Sequence, residues 1–166
     1  MGIQGLHHNA YRCRDSEQTR QFYEGFLGLP LAGTLEIHET MSGRKTDTLH
    51  TFYRLGDGSF LAFFEAPDMP FEFKAQHDFD LHIALAVDRG TLDAMFAKGQ
   101  GQGIETRGVS HHGFIDSIYF RDPNGYVIEL TAKRENHERE MDPHANDARR
   151  RLAEWQAAKT TSAGRA

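Results

Sequence analysis

The apolar positions of this chain fall into short alternating runs and stripes at helical spacing, and the two kinds recur in the same order. Residues 7–14 (HHNAYRCR) and 80–87 (DLHIALAV) alternate as half-buried strands do. An acid follows each, Asp15 and then Asp88, and introduces a helical stretch. Asp15 and Gln18 have capping-box spacing, and Thr19, Phe22, Tyr23 and Phe26 form a stripe that Gly28 stops. The second stretch carries Leu92, Met95 and Phe96 and runs into KGQGQG, residues 98–103. These glycines follow a helix and do not open one, so they read as a stop and turn, not as a phosphate loop. FYRLGDGSFLAFF (52–64) and YFRDPNGYVIELT (119–131) each read as strand, Asp-Gly or Asn-Gly turn, strand. AGTLEIHET and GIETRGV offer one further strand each.

The recurrence is an internal repeat. His8 overlies His82, Ala10 overlies Ala84 and Phe22 overlies Phe96; Arg54 overlies Arg121 and Gly58 overlies Gly125. The first copy holds seven more residues between helix and hairpin, assigned to a mobile loop at ETMSGRKTDT. The expected fold is α+β: duplicated β-α-β-β-β units, about 5–66 and 79–132, in a curved, barrel-like sheet within one domain, 1–132. A helical extension, 133–166, follows. Asp142 before Pro143 suits a helix start, and Ala148, Leu152 and Trp155 form a stripe for docking on the body or a partner subunit. TTSAGRA, 160–166, is expected to fray.

Composition narrows the classes. Hydrophobic residues make up 39% of 166, enough for one core, and the single cysteine, Cys13, excludes an intrachain disulfide framework. No long apolar run or basic-apolar leader is evident, so a cytoplasmic protein with no membrane span is expected. Net charge is -5, and the stretch from Lys133 onward carries eight Lys/Arg against six Asp/Glu, so the body is more acidic still. That argues against a nucleic-acid partner. Arg149-Arg150-Arg151 reads as a solvated helix face.

HHNAYRCRD with FYEGFLGLPL, LHIALAV and YFRDPNGYVIELT together resemble the vicinal-oxygen-chelate superfamily, over roughly residues 5–132. That superfamily includes glyoxalase I, extradiol ring-cleaving dioxygenases, fosfomycin-type thiol transferases and metal-free bleomycin binders. The resemblance implies a metal held by His8, His82 and Glu129. Two imidazoles and a carboxylate with open positions suit Fe(II), with Mn(II), Zn(II), Ni(II) or Co(II) as alternatives. It also implies a small catecholic or other oxygen-chelating substrate, and a homodimer whose site is built from one chain or two. A symmetric two-histidine, two-glutamate site would need a carboxylate at Ala62, and Glu65 falls on the opposite strand face, which favours the three-ligand members.

The leading expectation is therefore an extradiol-type dioxygenase of a catechol using O2. The alternatives are a glyoxalase-like isomerase or lyase, a fosfomycin-type thiol transferase, and a metal-free aromatic binder. By the same resemblance Tyr119 would hold a substrate oxygen, and His77, His111 or His112 would move protons. His50 and Phe52 share strand parity and are expected to face the substrate. A buried Glu129 requires a metal or a cationic partner, for which Arg12 and Arg121 are the other candidates. Alternation sends His8 inward and His7 to the opposite face.

Overall fold

The structure is a computed structural model that describes residues 2–75 and 77–163. Strand β1 (His8–Cys13) leads into helix α1 (Ser16–Arg20), which continues as a π-helical segment, Gln21–Phe26. Strands β2 (Leu31–Glu39), β3 (Lys45–Arg54) and β4 (Phe60–Glu65) complete the first repeat. The second comprises β5 (His82–Val87), α2 (Arg89–Gly101), β6 (Thr106–His111), β7 (Ile115–Arg121) and β8 (Val127–Lys133). Helices α3 (His137–Met141) and α4 (Ala148–Ala163) follow.

The strand orders are β1-β4-β3-β2 and β5-β8-β7-β6, the same arrangement in each repeat. The α+β class and the duplicated β-α-β-β-β unit are thus borne out, as two open four-stranded sheets. By internal contacts the chain divides differently. One unit gathers the chain up to Ile83 with Tyr119–Glu129; the other gathers Ala84–Ile118 with the chain from Leu130 onward.

In the first sheet β1 runs parallel to β4, and β4 and β2 run antiparallel to β3. His8 pairs with Phe60 and Arg54 with Phe60, while Phe52 pairs with Ala62 and His50 with Phe64. Pairing and pleat therefore put His8, Phe60, Phe52, His50 and Phe64 on one face. Tyr53, Leu61, Phe63 and Cys13 take the other, where all four are buried. The stripe from α1 covers that second face: the Tyr23 ring lies 4.6 Å from Phe63 and 5.4 Å from Tyr53.

Asp15 caps α1 by accepting the Gln18 N–H at 2.8 Å, but the Gln18 side chain turns to Arg14 and does not close a capping box. Gly28 ends the helix with φ 81, where a side chain would be strained. Asp88 caps α2 through the Thr91 N–H at 2.8 Å. Glu65 accepts the Ser16 N–H at 2.7 Å, so it serves the α1 start on the helix side of the sheet, away from position 62.

Three expectations are corrected. The seven extra residues form no open loop: they lengthen β2 and β3, which pair out to Glu39 and Lys45. Thr46 and Thr48 are buried there and share a hydrogen bond, so alternation governs a stretch whose polarity reads as loop. The last helix begins at Ala148, not at Pro143, because Asp142 instead accepts the His144 N–H at 2.8 Å, and Asn146 accepts the Ala148 N–H at 3.0 Å. Leu152 and Trp155 are 60% and 65% exposed, so their stripe is not covered by the described residues. Of the segment 160–166 expected to fray, 160–163 belong to α4 and 164–166 lie outside the described residues. Among the described residues no helix is long and apolar enough to cross a membrane.

The turn of the second hairpin is anchored in one unit by buried polar groups. Asp122 accepts hydrogen bonds from the Tyr23 hydroxyl at 2.9 Å, the Asn124 N–H at 2.9 Å and the Tyr126 N–H at 2.8 Å. Burial raises its carboxyl above the ordinary value, so these donors are what sustain it.

Candidate metal centre

His82 opens β5, and Glu129 lies mid-strand on β8, the neighbouring strand. The His82 Nε2 stands 3.2 Å from the Glu129 Oε2. Glu129 is 5% exposed and stands between the buried Ile128 and Leu130. The other ring nitrogen of His82, Nδ1, lies 2.8 Å from the Asp78 carbonyl oxygen. A carbonyl only accepts, so Nδ1 carries the hydrogen and Nε2 faces the carboxylate. Nε2 and the carboxylate so placed require a proton or a cation between them. Ligand atoms about 2.1 Å from one ion and at right angles lie about 3 Å apart, so the pair fits a shared divalent ion. The backbone carbonyl behind the imidazole is a usual support of a ligating histidine.

Tyr119 joins this pair by register. The Asp122 N–H donates to the Tyr126 carbonyl, and the Ser117 hydroxyl lies 3.3 Å from that of Thr131. Both fix the same pairing of β7 with β8, which sets Tyr119 opposite Glu129 on one face. The alternative cations for Glu129 are engaged elsewhere. Arg12 donates to the Ala66 and Met69 carbonyls, and Arg121 donates to the Gly125 carbonyl and lies 3.7 Å from Asp78.

His8 stands on β1, exposed, its ring 5.6 Å from Phe52 and 6.0 Å from His50. His50 is buried, stacked on Phe64 at 3.7 Å, and its Nδ1–H donates to the Phe63 carbonyl at 3.0 Å. Burial holds its basicity below the ordinary imidazole value. The structure thus gathers His8, His50 and Phe52 on one face and His82, Glu129 and Tyr119 at another place. Among the described residues no three His, Cys, Asp or Glu side chains converge to hold one ion. His7 departs from the alternation. It precedes the strand, and its Nδ1 lies 2.8 Å from the His8 Nδ1.

The remaining histidines are dispersed. His77 is exposed, its Nδ1 accepting the Phe79 N–H at 3.1 Å. His111 ends β6 and bonds Asp116 at 2.7 Å. That bond, with Arg134 and Arg89, holds the Asp116 carboxyl below its ordinary range. His112 is exposed in the turn beyond. Cys13 is buried, and desolvation pushes its thiol up to about 11, which leaves it unreactive. The Asp78 carbonyl is the part of the site with no sequence signal, since any residue supplies one.

Residues 5–130 match the Glyoxalase/Bleomycin resistance protein/Dioxygenase superfamily. The chain belongs to that superfamily. It is 26% identical over 139 residues to the metallothiol transferase FosB of Shouchella clausii, covering 77% of this chain and 80% of that protein. The fold is similar to a glyoxylase/bleomycin resistance protein/dioxygenase domain from Frankia, with TM-score 0.64 and 17% identity over 80% of this chain and 100% of that one. It is also similar to the fosfomycin resistance protein FosX of Listeria monocytogenes, solved with Mn(II) and sulfate, with TM-score 0.58 and 20% identity over 82% and 98% of the two chains.

Proposed function

We propose that this member of the superfamily is a divalent-metal-dependent enzyme, its ion held by His8, His82 and Glu129, acting on a small substrate that binds through neighbouring oxygens. The observation that carries the reading is the His82–Glu129 pair, an imidazole Nε2 that stands 3.2 Å from a buried carboxylate while Nδ1 is held by the Asp78 carbonyl. His8 is the third ligand in this reading. It lies exposed on β1, at one edge of its sheet, and the reading takes it from a second copy in a homodimer.

The bound ion supplies Lewis-acid polarisation of substrate oxygens and, if it is iron, access to O2 chemistry. The chain supplies the rest. The Asp78 carbonyl keeps the His82 lone pair directed. Tyr119, opposite Glu129, presents a hydroxyl that can donate to a substrate oxygen. Phe52, Phe60 and Phe64 form an apolar wall beside His8, and His50, uncharged near neutral pH, can take a proton at Nε2.

Of the reaction classes, likeness to the metallothiol transferase FosB favours addition of a thiol to a small oxygen-bearing substrate, and FosX, solved with Mn(II), makes Mn(II) a candidate ion. The second reading is extradiol cleavage of a catechol, for which Fe(II) would be the ion. Its support is Tyr119 opposite Glu129 and the aromatic wall by His8. Protein loaded anaerobically with Mn(II) or Fe(II) is assayed for fosfomycin consumption with cysteine, and for O2 uptake with a catechol panel. Metal-dependent turnover in the first arm supports addition; turnover in the second arm alone supports ring cleavage. A loaded protein inactive in both arms would overturn both reaction classes.

A further inference from the structure

Resting on the reading of His82 and Glu129 as ligands, we propose that the linker between the two repeats is the positioning element of that pair. Its docking on the Gly125 turn sets the angle of the His82 ring. Four observations within one compact unit converge. The Lys74 N–H donates to the Asn124 carbonyl at 2.9 Å, seating the linker on the turn. Gly125 has φ 94, and a Cβ there would stand 2.7 Å from the Lys74 nitrogen and 2.8 Å from its carbonyl carbon, so the seat requires glycine. Four residues on, the Asp78 carbonyl takes the His82 Nδ1–H at 2.8 Å. Arg121 then ties this second point to the same turn. Its Nη1 donates to the Gly125 carbonyl at 2.9 Å, and its Nη2 lies 3.7 Å from the Asp78 carboxylate.

The repeat provides an internal control. Gly58 occupies the matching turn with φ 88, yet no atom of the described residues lies within 4 Å of a Cβ built there. Alanine at either site meets the same left-handed backbone strain. Only at Gly125 does it also displace the linker. Arg54 matches Arg121 in the repeat, but the first sheet carries an alanine, Ala62, where Glu129 stands, so that turn has no ligand pair to position.

The test compares Gly58→Ala, Gly125→Ala, Arg121→Ala and Arg121→Lys with the wild-type protein by two readouts. The first is the 15N imidazole spectrum of His82 in metal-free protein. It should show the hydrogen-bonded Nδ1–H signal in wild type and Gly58→Ala, and loss of that fixed signal in Gly125→Ala and Arg121→Ala. The second is Mn(II) affinity by titration, expected to fall about tenfold or more in Gly125→Ala and Arg121→Ala, with partial recovery in Arg121→Lys. The Arg121 variants decide the matter if Gly125→Ala does not fold. A changed His82 spectrum in a protein that binds no Mn(II) supports the linker's role and sinks the metal reading. An unchanged spectrum with wild-type affinity in both Gly125→Ala and Arg121→Ala overturns the proposal.

Discussion

At the scale of single residues, the chemistry turns on which atom of a side chain is already engaged. His82 commits Nδ1 to a carbonyl and so leaves Nε2 for the carboxylate side. Glu129, buried beside that one partner, has no route to ordinary hydration. Tyr119 stands opposite it. In the active enzyme Tyr119→Phe should lower kcat by about a hundredfold with bound metal unchanged, measured by steady-state kinetics and metal analysis. Equal kcat in the variant would assign Tyr119 to packing alone. Titration also belongs here. Burial pushes Cys13 up to about 11 and Tyr53 and Tyr126 up to about 12, so the folded state holds these protons more tightly than the unfolded chain. Their contribution is complete below the unfolded values and is lost as pH rises through the folded ones. Denaturant melts should therefore show stability falling across roughly pH 9 to 12, and a flat profile there would contradict the burial of these groups. His8 and His82 stand out in the sequence because they repeat, and Glu129 through the family resemblance, since its counterpart in the repeat is Ala62. The Asp78 carbonyl does not, because backbone oxygen is common to every residue.

At the scale of elements, the repeat and its caps were written plainly: Asp15 and Asp88 cap the two helices, and both sheets take the same strand order. What misled was polarity. The stretch 39–48 reads as loop, yet Thr46 and Thr48 point inward from β3 while charged neighbours point out. Asp122 likewise reads as a turn former, but it also anchors the hairpin to α1's π-helical continuation through Tyr23. Asp122→Ala would strand the buried Tyr23 hydroxyl and deprive two backbone N–H groups of their partner. It should cost about 3 kcal/mol or more, read from equilibrium unfolding. A loss under about 1 kcal/mol would mean that water replaces the carboxylate freely.

At the scale of the whole molecule, the fold class was legible and the assembly was not. Periodicity reports which face of an element is apolar, not what covers it, and Leu152 and Trp155 illustrate the difference. A homodimer that shares its sites makes a distinctive prediction. His8→Ala and His82→Ala each lose the metal alone, but refolded together as an equal mixture they regain about a quarter of the sites, because one site in each heterodimer keeps all three ligands. No recovery would place the three ligands within one chain. The most direct test of the central claim, that His82 and Glu129 hold a divalent ion, is the metal content of the purified protein beside that of His82→Ala. The claim predicts about one ion per chain in the wild-type protein and its loss in the variant. Undiminished stoichiometric metal in His82→Ala would contradict it.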